Sequence, residues 1–119
     1  HQYFIMENIL LKKLRNIWIL KEFQLEFNML KTLEDLILTI RQRKSSSVED
    51  SYTAKLLNDK SLSVEKVKEE IGELIEAIEN NSNKTHEAAD VFYHLLVYLE
   101  CNGVKIEDIM EELDKRKKK

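Results

Sequence analysis

"KVKEEIGELIEAIE" (residues 66–79) carries both the fold and the question of function. Its apolar residues recur at helical spacing, and it holds neither proline nor a β-branched run. At 100° per residue, with Glu69 set at zero, Val67, Ile71, Leu74 and Ile78 fall at about 140–200°, a core stripe. Glu65, Glu69, Glu73 and Glu76 gather on the other side. Glu70 falls at about 100°, at the edge of the stripe, near Ala77 and one step from Glu73. A row of carboxylates opposite a core stripe is what a solvated face looks like. A carboxylate at the core boundary beside a small residue leaves room for a ligand.

Downstream, "HEAADVFYHLLVYLE" (86–100) is apolar nearly all round, the mark of a helix buried on most sides. Glu87, Asp90 and His94 nevertheless share one narrow stripe of it. Burying unpaired carboxylates costs several kcal/mol, so a lysine, an arginine or a metal has to compensate them. A buried salt bridge to Asp90 is one solution, and His94 suits a hydrogen bond beside the acids better than a metal bond. The "NNSN" connection is short enough to set the two helices antiparallel. Glu70 and Glu73 then face Glu87 and Asp90. The donors are all oxygen, which fits Mg²⁺ or Mn²⁺ rather than zinc, and Mg²⁺ held this way commonly also holds substrate phosphates.

The rest of the chain is consistent with an all-α domain. It has 119 residues, 43% hydrophobic and 34% charged, with no proline and two glycines. Further helices are expected over 4–27, over 33–43 with Thr32 as N-cap, over 64–79 capped by Ser63, over 85–101 and over 106–117, with a short turn at "YTAKLL". The stretch "KSSSVEDS" (44–51) reads as a polar loop. The net charge of −3 argues against a nucleic-acid partner, and "KRKKK" at the end reads as a solvated helix terminus. No uncharged run approaches the roughly 20 residues of a membrane span. No signal-peptide cleavage pattern is evident, and the single cysteine, Cys101, forms no internal disulfide. A cytoplasmic enzyme is the expectation.

"EEIGE" (69–73), followed after thirteen residues by "EAAD" (87–90), resembles the ExxE…ExxD arrangement of the MazG-like all-α nucleotide pyrophosphohydrolases. With "LILTIRQRK", "EDSYTAKLL", "KVKEE" and "HEAADVFYHLLVYL" in order, residues 29–116 are similar to the phosphoribosyl-ATP pyrophosphatase family. The resemblance implies a MazG-like helical bundle completed by homodimerisation. It implies Mg²⁺-dependent hydrolysis of phosphoribosyl-ATP to phosphoribosyl-AMP and pyrophosphate, the second step of histidine biosynthesis. By motif position, Glu70, Glu73, Glu87 and Asp90 would hold the metal, with Glu69, Glu70 and Glu73 as the catalytic acids and Glu69 as a base for the attacking water.

Arg43, Lys44 and Lys55 would meet the phosphates, although Arg43 and Lys44 also suit a helix C-terminus. Lys68 stands where the family often has glycine. Residues 1–28 have no counterpart in the stand-alone family enzyme and read as a helical extension or the remnant of a linker. Two other readings stay open: a MazG-like enzyme for ordinary or modified nucleoside triphosphates, and a non-catalytic helical dimerisation module whose acids pair with lysines.

Overall fold

A computed structural model describes residue 17 and residues 30–117. The expected helix over 4–27 and the extension over 1–28 lie outside the described residues, apart from Ile17. The chain divides into two compact units, residues 1–35 and 36–119, and the second carries the elements discussed below, apart from the first turns of the first helix. No strand occurs among the described residues. Helix α1 covers 30–42 and runs into a 3₁₀ turn at Arg43–Ser45. Helices α2 (Tyr52–Leu57), α3 (Lys60–Asn80), α4 (Lys84–Cys101) and α5 (Ile106–Arg116) follow.

Two expected caps are corrected. Thr32 does not start α1, because Leu30 and Lys31 are already helical; good helix formers ahead of it outweigh its capping preference. Ser63 does not start α3 either. Asp59, one turn earlier, accepts from the Leu62 backbone N–H at 3.0 Å, and Ser63 is carried inside the helix, 2% exposed. "YTAKLL" is a helix rather than a turn. Ser51 caps it by accepting from the Ala54 N–H at 3.2 Å.

Helices α3 and α4 form an antiparallel hairpin through residues 81–83. Asn81 and Asn83 both adopt left-handed backbone, a conformation that asparagine tolerates better than other non-glycine residues. The Ser82 N–H bonds the Ala77 carbonyl and closes the end of α3. After α4 the chain turns at Gly103, whose φ of 71° suits glycine.

The stripe by which α3 meets its neighbours is not the expected Val67–Ile71–Leu74–Ile78. Ser63, Val67 and Ala77 are the buried residues of α3, and Glu70 and Leu74 lie between them at the same helical spacing. Ile71, Ile75 and Ile78 stay exposed. Helix α4, expected to be buried on most sides, leaves Phe92 (59%) and Leu95 (40%) exposed, because the described chain offers it too few partners. The rotation of α3 matters for function, since it turns Glu70 into the helix–helix seam.

The core is Ile40 of α1, Leu56 of α2 and Val97 of α4, wrapped by Leu36, Leu57, Leu62, Tyr93 and Leu96. Helix α2 lies along α4 in parallel: Tyr52 meets His94 and Leu57 meets Cys101. Glu100 anchors the far end. Its carboxylate meets Arg41 at 3.4 Å and Lys44 at 2.7 Å, and Arg41 reaches on to Glu107 of α5. Burial pushes the Glu100 carboxyl up, but Lys44 and Arg41 together hold it below the ordinary value.

Candidate active site

Glu70 and Glu73 stand on α3 and Glu87 in the first turn of α4. Each offers a carboxylate oxygen, and these oxygens all lie within 4.8 Å of one another. The hairpin makes this possible. Positions i and i+3 put the two α3 acids on one face, and the three-residue connection sets Glu87 opposite them. Asp90, one turn further along α4, extends the group. Glu87 and Asp90 also close on His86, whose Nε2 lies 3.3 Å from the Asp90 carboxylate.

No lysine or arginine among the described residues pairs with Glu70, Glu73 or Glu87. One Oε of Glu70 and one of Glu87 are buried without a hydrogen-bond partner. Burial, and next the charge of Glu73, pushes the carboxyl of Glu70 above its ordinary value. Burial and Glu73 do the same to Glu87. Orphaned oxygens and raised acids mark a site short of positive charge. An all-oxygen donor set of this kind suits a hard divalent cation. A recess of about 190 Å³ opens beside the acids, lined by Glu73, Glu76, Ala77, Asn80, Asn83 and Glu87 among others.

Glu69 lies outside this trio. Its carboxylate is half-exposed and meets Lys66 at 3.1 Å. Of the cations expected to meet phosphates, Lys44 is engaged with Glu100. Arg43 opens the 3₁₀ turn and Lys55 lies on α2, both exposed.

His94 makes the hydrogen bonds expected of it beside the acids, and Tyr52 is a partner that the sequence reading did not foresee. The Tyr52 hydroxyl lies 3.2 Å from Nε2 of the buried His94, and His94 Nδ1 lies 2.9 Å from the Asp90 carbonyl oxygen. The signals were present, in "SYT" and in the Glu87–Asp90–His94 stripe. What periodicity could not supply was that α2 reaches α4 at that point.

Residues 33–117 match the family described as Phosphoribosyl-ATP pyrophosphohydrolase. A phosphoribosyl-ATP pyrophosphatase of Haloarcula marismortui is 39% identical over 90 residues, covering 71% of this chain and 92% of that protein. One of Methylobacterium nodulans is 42% identical over 93 residues, covering 71% and 82%. A chloroplastic bifunctional histidine-biosynthesis protein of Arabidopsis thaliana is 41% identical over 95 residues, which cover 73% of this chain but 34% of that longer protein. The matched span contains α2 to α5 and every acid of the cluster. With a family match over most of its length and relatives near 40% identity, the chain belongs to the phosphoribosyl-ATP pyrophosphohydrolase family.

Proposed function

We propose that the chain hydrolyses phosphoribosyl-ATP to phosphoribosyl-AMP and pyrophosphate, the second step of histidine biosynthesis, with Mg²⁺ bound at the acidic cluster. The observation that carries this reading is the convergence of Glu70, Glu73 and Glu87 with two buried, unpartnered oxygens. Unpaired carboxylates at a helix seam cost stability, and a divalent cation offsets that cost. Glu70, Glu73 and Glu87 would hold it, with Asp90 at the margin. A cation held there would supply neutralisation of phosphate charge and a more acidic coordinated water. Glu69, outside the trio, would have to part from Lys66 to take the water's proton. Arg43 and Lys55 are the exposed cations for the phosphates, while Lys44 has to leave Glu100 to join them.

Pyrophosphate release from phosphoribosyl-ATP, beside a panel of ordinary nucleoside triphosphates and with or without Mg²⁺, tests this. Mg²⁺-dependent release from phosphoribosyl-ATP alone is the expected result. Release from ordinary triphosphates only would keep the acidic site and replace the substrate. Release from none of them would leave the carboxylates without a catalytic role.

A homodimer belongs to the same reading. Ile71, Ile75 and Ile78 of α3 and Phe92 and Leu95 of α4 are exposed, and a second copy would cover them. Sedimentation of the full chain at micromolar concentration is expected to give twice the chain mass. A monomer mass at that concentration would rule this arrangement out.

A further inference from the structure

Helix α2 begins with two hydroxyl side chains, and both are tied to consecutive residues of α4. Tyr52 meets His94, and Thr53 makes a short hydroxyl–hydroxyl contact with Tyr93. The hydrogen-bond roles follow from chemistry. The Asp90 carbonyl only accepts, so His94 Nδ1 carries the proton toward it; Nε2 is then the acceptor for the Tyr52 O–H. The Tyr52 and His94 rings meet edge to face, with centroids 6.0 Å apart at 76°. The phenol is therefore fixed at its oxygen end by a buried histidine, and that histidine is itself fixed by the backbone of an acid at the site.

Tyr52 stays half open to solvent, 48% exposed, although its hydroxyl is engaged. Through His94 it lies two hydrogen bonds from the backbone of Asp90, and so stands beside the acidic cluster. A large aromatic surface, rigidly held, half open to solvent and next to a site for phosphates, has the form of a stacking platform. Every nucleobase has a π-face that such a platform can take, and a hydrogen-bonded phenol loses little further freedom when a base settles on it.

The geometry points to Tyr52 as a substrate-binding residue that stacks the adenine base of the nucleotide, with His94 as the residue that positions its ring. The inference rests on the reading of the site as one for an adenine nucleotide, and it adds which side chain meets the base. The acids, through a cation they would hold, address the phosphate end and carry no preference between bases, so Tyr52 supplies discrimination that they lack.

The test compares binding of AMP and of ribose 5-phosphate to the full chain with Mg²⁺ present, in wild type, Tyr52→Phe and Tyr52→Leu. Wild type is expected to favour AMP by about tenfold or more. Tyr52→Phe keeps the ring and most of that preference. Tyr52→Leu removes it while ribose 5-phosphate binding holds within about twofold, and KM for phosphoribosyl-ATP rises by the same factor with kcat little changed. His94→Gln, which keeps an acceptor near the Nε2 position, retains more of the preference than His94→Ala.

A wild-type ratio near one overturns the inference. So does a Tyr52→Leu protein that loses both ligands equally, since Tyr52 would then only latch α2 to α4. Should Tyr52→Leu not fold, the wild-type ratio and Tyr52→Phe decide alone, and loss of the preference in Tyr52→Phe counts against stacking. Failure of the enzymatic reading looks different: AMP preference would persist without pyrophosphate release.

Discussion

Glu70→Gln is expected to lower pyrophosphate release by about a thousandfold while the protein remains folded. The substitution keeps size and shape but removes one negative charge from the centre of the carboxylate trio. A divalent cation contributes several kcal/mol of charge stabilisation in phosphoryl chemistry, and about 4 kcal/mol corresponds to a thousandfold in rate. The same change is expected to raise the thermal midpoint of the metal-free protein by a few degrees. Glu70 has a buried, unpartnered oxygen and faces Glu73 and Asp90, so neutralising it relieves both desolvation and repulsion. Steady-state kinetics and a melting curve in chelator read the two effects separately. If Glu70→Gln instead unfolds the chain, the carboxylate is a structural partner and its assignment as a metal ligand fails. Glu73→Gln is expected to follow the same pattern, because Glu73 is the charge felt by both Glu70 and Glu87.

The second large effect is on stability as a function of pH and cation. The carboxyls of Glu70 and Glu87 are raised above the ordinary value of 4.5, first by burial and then by Glu73. Between that value and their raised folded-state values, the folded protein binds more protons than the unfolded chain. Stability therefore falls as pH rises through this window. Glu100 and Glu107 act with the opposite sign. Burial opposes the Glu100 shift but Lys44 and Arg41 overcome it, and Arg41 lowers Glu107. Their contribution is in full above 4.5 and is lost only as pH falls through their lowered values.

Upward from pH 4.5, then, the ion pairs of Glu100 and Glu107 are complete and the slope belongs to the acidic cluster. In chelator, the melting midpoint is expected to decline as pH rises above 4.5 through the raised values of Glu70 and Glu87. With Mg²⁺ at about a hundred times its Kd, about 2.7 kcal/mol is added at neutral pH, roughly 10 °C for a domain of this size. A flat profile in chelator together with no response to Mg²⁺ would remove the case for a cation at these acids.

The helices over 85–101 and 106–117 were legible within a residue or two at each end, because long periodic patterns ended by "NNSN" and "NGV" leave little choice. The boundary of α3 was not. Asp59 and Ser63 are both good caps, and the decision depends on tertiary packing that brings Ser63 inside. The apolar stripe of α3 misled for the same kind of reason. A helical wheel ranks residues by hydrophobicity, and Ile71 and Ile78 outrank Glu70. The neighbours that α3 actually meets are set by the hairpin and by α2, and they select Ser63, Val67, Glu70, Leu74 and Ala77. Convergence of acids from two helices could be read from spacing. That Glu69 pairs with Lys66, and Lys44 with Glu100, could not, since exposed charges choose partners by proximity in space. The meeting of Tyr52 with His94 spans 42 positions and lies beyond any local pattern.

The three-residue link between α3 and α4 also bears on the order in which the protein folds. Contacts across that hairpin close a short loop, whereas the ties of Arg41 to Glu100 and Glu107 join residues 59 and 66 positions apart. Local contacts are reached first because they give up less chain entropy. The carboxylate trio sits entirely within the hairpin, so mutual repulsion of the acids is met early, before the core around Ile40, Leu56 and Val97 has closed. The acids that converge at the site thus lie among the contacts with the shortest loop to close, the ones that give up least chain entropy.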